Sequence, residues 1–231
     1  MGWYIPGPDE NAPAVVIAHG VGGSRSDALA GALVAHRSGF SSLVLDHPGH
    51  GESDGIGATF GVREGRALKV AHDWLKARSP NRPVHAIGYS MGGSAVLHAA
   101  AEYGIFERIV VDSTYGRLER VAKESRFFVF GPASGVPWTL VRFWAYLLTG
   151  HDYSNSAPEE DVARLGRPLL IIHGTRDITV PVSEVEHLAA AAAKGTVQVF
   201  LVEGADHMRT IGHPEYSKRV GDFLLGVEAQ R

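Results

Sequence analysis

The sequence of 231 residues contains no cysteine, so disulfides, thiolate metal sites and a cysteine nucleophile are all excluded. It has no block of charge either. Its 22 Lys and Arg stand against 25 Asp and Glu, for a net charge of -3. Without a basic stripe, nucleic acid is not an expected partner. Long apolar runs are missing: the longest, 136–149, is too short to cross a bilayer and contains Arg142. The opening Met1-Gly2-Trp3-Tyr4-Ile5-Pro6 lacks the basic start and apolar centre of a secretory signal. Pro6 stands where a myristoylation motif needs Ser or Thr. No internal repeat or low-complexity linker divides the chain. The expectation is a soluble, cytoplasmic protein with no membrane span, forming a single domain over 1–231.

What is present is ordinary in bulk, 45% apolar and 20% charged, but ordered along the chain. Short β-branched runs alternate with helical patterns. Strands are expected at 14–18, 42–45, 84–87, 108–111, 169–172 and 197–202, and helices at 24–37, 62–78, 91–102, 183–194 and 214–225. Strands apolar throughout, each followed by a helix, predict the α/β class: a mostly parallel, doubly wound sheet flanked by helices. In such sheets, sites form in the loops that leave the carboxyl ends of the strands. His19-Gly20, Asp46, Ser90, Asp112, Asp177 and His207 all fall there.

The rhythm breaks between Asp112 and Pro168. No strand is expected there, only two helical patterns, 118–128 and 138–149, rich in aromatic residues. Residues 113–167 are read as a small helical cap-like insert. Its Tyr115, Phe128, Trp138 and Trp144, with Met208, are the candidate lining of a substrate pocket. The competing reading is that these aromatics fill an ordinary core.

Gly88-Tyr89-Ser90-Met91-Gly92 joins a predicted strand to a predicted helix, the context of a nucleophile elbow. The turn is so sharp that the serine is strained and its hydroxyl exposed, and side chains at the two glycines would collide across it. A serine hydroxyl needs a base, and the base needs an orienting group. His207, in Gly204-Ala205-Asp206-His207, follows the last predicted strand; Asp177, in His173-Gly174-Thr175-Arg176-Asp177, follows the one before. The order serine, acid, histidine suits this scaffold. Asp112 is the rival acid, otherwise a structural carboxylate accepting bonds from backbone N–H groups of its own loop. The Val21 N–H, in His19-Gly20-Val21-Gly22-Gly23, and the Met91 N–H are the candidate oxyanion donors, with His19 bracing its loop.

Two other readings fail on spacing. Gly20-Val21-Gly22 lacks the third glycine of a dinucleotide fingerprint, because Arg25 occupies that place. His47-Pro48-Gly49-His50 is a Pro-Gly turn with solvent-facing imidazoles rather than a metal motif, and no H-E-x-x-H occurs. No metal or other cofactor is expected.

Together with Asp46-His47-Pro48-Gly49-His50-Gly51-Glu52-Ser53, these motifs span nearly the whole chain and resemble the α/β-hydrolase superfamily. The small insert is similar to that of the cap-poor serine-aminopeptidase-like and dienelactone-hydrolase-like branch, which includes esterases and thioesterases. The resemblance implies the α/β-hydrolase fold and a cofactor-free serine hydrolase cleaving carboxylic esters of a small-molecule acyl substrate. Ser90 would be the nucleophile, His207 the general base and acid, and Asp177 the orienting acid. Thioesterase, amidase or acyltransferase chemistry uses the same triad; the alternative from another class is a non-catalytic small-molecule-binding protein on a hydrolase scaffold. The chain departs from the family in two places. Only Trp3-Tyr4-Ile5-Pro6 stands where members begin with a hairpin, as expected of a short form or of a chain preceded by a leader or anchor. Ala67 replaces an acid common three residues beyond Glu64.

Overall fold

The structure is a computed structural model that describes residues 1–9, 12–124, 138–150, 152–153 and 156–227. Among these residues, seven strands form one sheet: β1 (Gly2–Ile5), β2 (Ala14–Ala18), β3 (Ser41–Leu45), β4 (Val84–Tyr89), β5 (Ile109–Asp112), β6 (Leu169–Gly174) and β7 (Val197–Val202). Their spatial order is β1-β3-β2-β4-β5-β6-β7. All neighbours run parallel except β1, which pairs antiparallel with β3. Among the described residues, eight helices accompany the sheet: α1 (Leu29–Arg37), α2 (Val62–Arg78), α3 (Met91–Tyr103), α4 (Leu118–Glu124), α5 (Trp138–Thr149), α6 (Pro158–Leu165), α7 (Ser183–Ala191) and α8 (Tyr216–Leu225). The predicted α/β class and mainly parallel sheet are therefore what the chain forms.

β2 shows why its strands read as unbroken apolar runs. Side chains alternate between faces, and both faces are covered. Ala14, Val16 and Ala18 enter one core with residues of α2, α3, α6 and α7, while Val15 and Ile17 enter the other with residues of α1 and α8. Each buried Val or Ile contributes about 1.5–3 kcal/mol. Because β3 and β4 flank β2, the chain reverses its direction of winding there, and the loops after β2 and β4 diverge to open a crevice.

The structure amends the expected elements in several places. β1 was not expected as a strand. The helix expected at 24–37 begins as a 3-10 turn, Arg25–Ala28, under the reciprocal cap between Ser24 and Asp27, before α1. The 183–194 helix stops at Ala191. The insert holds a third helix, α6, which packs on α3 and α7 and buries Val162 and Leu165 in the main core. The end of the 113–167 segment thus belongs to the helical layer. It is clamped there by ions: Arg117 and Arg120 pair with Glu159, and Arg120 also pairs with the fully buried Glu184, which accepts the Gly116 and Arg117 N–H groups. Among the described residues, no helix is long and apolar enough to cross a membrane.

Candidate active site

β4 delivers Ser90 and α3 leaves from it. Ser90 has φ 52° and ψ -118°, a left-handed conformation that an L-residue adopts only when its surroundings impose it. The glycines at either side are needed for space. A Cβ at Gly88 would lie 2.5 Å from the Gly92 carbonyl oxygen, and one at Gly92 would lie 2.3 Å from that of Ala18. The Ser90 N–H donates to the Asp112 carbonyl at 2.8 Å, and its own carbonyl accepts the Thr114 hydroxyl at 3.1 Å. These bonds hold the turn against the adjacent strand.

His207 comes from the loop after β7, with Nε2 3.2 Å from Ser90 Oγ and Nδ1 2.7 Å from Asp177 Oδ2. Asp177 comes from the loop after β6. Its Oδ1 accepts the N–H groups of Thr179 (2.9 Å) and Val180 (2.8 Å), so only Oδ2 is left to face the ring. An ionised carboxylate only accepts, so Nδ1 carries the proton and Nε2 presents its lone pair to the serine hydroxyl. The three residues singled out in the sequence are thus brought together. Asp206 turns back to accept its neighbour's N–H at 2.7 Å.

The loop after β2 is braced as the sequence suggested. His19 donates from Nδ1 to the Gly20 carbonyl at 2.7 Å and accepts the His47 N–H at Nε2, 3.1 Å away. Burial lowers the pKa of His19, keeping the ring neutral for this double role. The imidazoles of the Pro-Gly turn are not both solvent-facing. His47 is completely buried against His19, and burial holds its pKa well below the usual value. The turn is pinned from inside. Although burial works against its charge, Asp46 is held ionised by the Arg25 and Glu52 N–H groups and by the Arg25 guanidinium.

A cavity of about 260 Å³ adjoins Ser90 and His207. Val21 and Met91, the expected oxyanion donors, both line it, as do Tyr115 and Met208. Met91 is the first residue of α3, where a helix leaves its N–H without an internal acceptor. Gly20 lies close by: a Cβ there would touch Ser90 Cβ and Met208 Sδ at 3.4 Å. Phe60, Thr179 and Val180 also line the cavity and had no signal in the sequence. Phe60 is left-handed, φ 53°, and its carbonyl accepts hydroxyls from Ser94 and Ser156, residues far away in the chain. Trp144 is not part of this lining; it is 59% exposed and packs edge-on against Phe143. Phe128 and the side chain of Trp138 lie outside the described residues.

Asp112, the other candidate acid, makes no hydrogen bond to the His207 ring, whose Nδ1 faces Asp177 instead. It is fully buried and accepts hydroxyl groups from Ser113 (3.1 Å), Thr210 (2.6 Å) and Tyr216 (3.0 Å), rather than N–H groups of its own loop. Burial pushes its pKa up to about 6, against the effect of the three hydroxyls.

Residues 13–131 match the family described as alpha/beta hydrolase fold. The uncharacterized protein YfhR of Salmonella typhi is 30% identical over 224 residues, covering 90% of this chain and 70% of that protein. The lysophosphatidylserine lipase ABHD12 of Rattus norvegicus is 27% identical, covering 99% of this chain and 60% of that protein. Among solved structures, the Pyrococcus furiosus esterase Pf2001 superimposes with a TM-score of 0.75 at 26% identity, covering 97% of this chain and 86% of that one.

Proposed function

The chain belongs to the alpha/beta hydrolase fold family, and from that premise we propose that it is a serine hydrolase acting on carboxylic esters. The observation that carries this reading is the single imidazole bridging a serine hydroxyl and a buried carboxylate, at 3.2 and 2.7 Å. Ser90 Oγ attacks the acyl carbon as its proton passes to His207 Nε2. The carbonyl π electrons move to oxygen, which the Val21 and Met91 N–H groups receive; such a donor contributes about 2.7–4 kcal/mol. The C–O bond to the leaving group then breaks, and Nε2 returns the proton to the departing alcohol. Water repeats the sequence on the acyl-enzyme, releasing the acid and restoring Ser90. Asp177 keeps the proton on Nδ1 throughout.

The lining of the cavity supports an uncharged acyl group. Apart from the reacting pair it is made of Gly, Val, Phe, Met, Tyr and Thr, without a charged side chain among the described residues. The esterase and lipase among its relatives fit the same class. Fluorophosphonate labelling of the wild type beside Ser90→Ala is the test. The wild type takes up one label per chain and the variant none; label on the variant refutes the assignment. A panel of p-nitrophenyl esters, acyl thioesters and anilides then orders the leaving groups, with esters expected first.

A further inference from the structure

One buried carboxylate near the site has no part in the chemistry above. Asp112 ends β5, the strand beside the one that carries Ser90. Its backbone carbonyl already accepts the Ser90 N–H at 2.8 Å. Its side chain reaches the other partner. Oδ1 accepts the Ser113 hydroxyl, and Ser113 Oγ in turn accepts the Met208 N–H at 3.1 Å. Oδ2 accepts the hydroxyls of Thr210 and of Tyr216 in α8. Met208 and Thr210 lie one and three residues beyond His207. The histidine loop is therefore tied at two points to a carboxylate whose own backbone holds the serine.

The backbone at the junction is unusual on both sides. Ser113 has φ 54° and Met208 has φ 55°, and the two are joined by the hydrogen bond. Neither is glycine, so each left-handed conformation persists only because its surroundings determine it. Met208 directly follows the histidine, so relaxing its φ swings the imidazole relative to Ser90. Asp177 alone does not prevent this. It constrains the ring through one bond, about which the imidazole can still pivot.

We propose that Asp112 is a positioning residue for His207, acting through Ser113 and Thr210 to hold Nε2 within reach of Ser90 Oγ. This rests on the serine-hydrolase reading. It assigns to the two carboxylates separate tasks: Asp177 sets the proton on the ring, and Asp112 sets where the ring stands.

The test uses Asp112→Asn, Ser113→Ala and Thr210→Val, with fluorophosphonate stoichiometry at completion giving the number of competent sites. Turnover of p-nitrophenyl butyrate is then expressed per titrated site, which removes losses due to misfolding alone. Ser113→Ala and Thr210→Val should each lose roughly tenfold or more per site, and Asp112→Asn up to about a hundredfold, as small displacements of a reacting group do. Because the hydroxyls act through one carboxylate, Ser113→Ala combined with Thr210→Val should lose no more than Asp112→Asn, short of the product of the single losses. Should Asp112→Asn fail to fold, the two hydroxyl variants carry the test. Wild-type turnover per titrated site in both of them overturns the proposal, as do single losses that multiply. Wild-type protein that takes no label, or Ser90→Ala that does, overturns the underlying reading instead. With those controls intact, failure falls on Asp112 alone.

Discussion

Replacing Asp177 by Asn tests how the proton on His207 is controlled. The side chain cannot rotate freely to suit the ring. Oδ1 accepts two backbone N–H groups, from Thr179 and Val180, at 2.9 and 2.8 Å. An amide nitrogen in that place would leave both N–H groups facing a donor, so the amide oxygen must occupy it. The nitrogen then sits where Oδ2 was, 2.7 Å from His207 Nδ1, and donates. Nδ1 must accept, its proton moves to Nε2, and a donor now faces Ser90 Oγ where a base is needed. The geometry survives while the tautomer is inverted. A loss of about 10⁴-fold in turnover is expected, about 5.5 kcal/mol in the barrier. The assay is p-nitrophenyl butyrate hydrolysis on protein whose thermal unfolding midpoint matches that of the wild type. Turnover within tenfold of the wild type in a folded Asp177→Asn variant would refute the reasoning, because the ring's tautomer would then not depend on this carboxylate.

Three further outcomes follow from packing and charge. Gly92→Ala places a Cβ 2.3 Å from the Ala18 carbonyl and 2.6 Å from that of His19. Backbone cannot yield there, so a cost of about 3 kcal/mol or more is expected, read as a lowered urea midpoint or loss of soluble protein. Glu184→Ala strips the Gly116 and Arg117 N–H groups and Arg120 of a shared buried acceptor. It should destabilise by about 3 kcal/mol, and an unchanged melting temperature would contradict that. His85, buried on β4 beside Arg108, has its pKa lowered to about 4, first by burial and then by the arginine's charge. The unfolded chain takes up this proton below about pH 6.5 and the folded one does not until about 4. The stability it contributes is therefore full above 6.5 and lost as pH falls through that window, about 2 kcal/mol by pH 5. Urea unfolding at pH 7.5 and 5.0 should show His85→Leu losing less than the wild type by that amount; equal losses would dismiss the account.

Much of this protein could be read in one dimension, for reasons visible in particular elements. β2 and β7 keep their expected bounds because both are short β-branched runs between chain breakers. α2 keeps its bounds because its helical pattern begins after Gly61 and ends at Ser79-Pro80. That Ser90, Asp177 and His207 meet at one end of the sheet was legible because a strand-to-helix turn between glycines and two loops at strand ends are local arrangements that leave local marks. β1 leaves no such mark, because Gly2–Ile5 is partly exposed and owes its extended form to pairing with β3, some 40 residues away in the chain. The burial of His47 leaves no local mark, because it comes from packing against His19 and not from the Pro-Gly turn itself.

From its order of residues alone, the chain determined an alternation of strands and helices, a strained serine and the two loops that supply its partners, since each depends on neighbours in sequence. Only the tertiary structure decided which carboxylate faces the imidazole, that Asp112 is tied to the histidine's loop by hydroxyls, and that Phe60, Thr179 and Val180 line the cavity. Those outcomes are distances between segments far apart in the chain, and such distances come into being only when the sheet assembles.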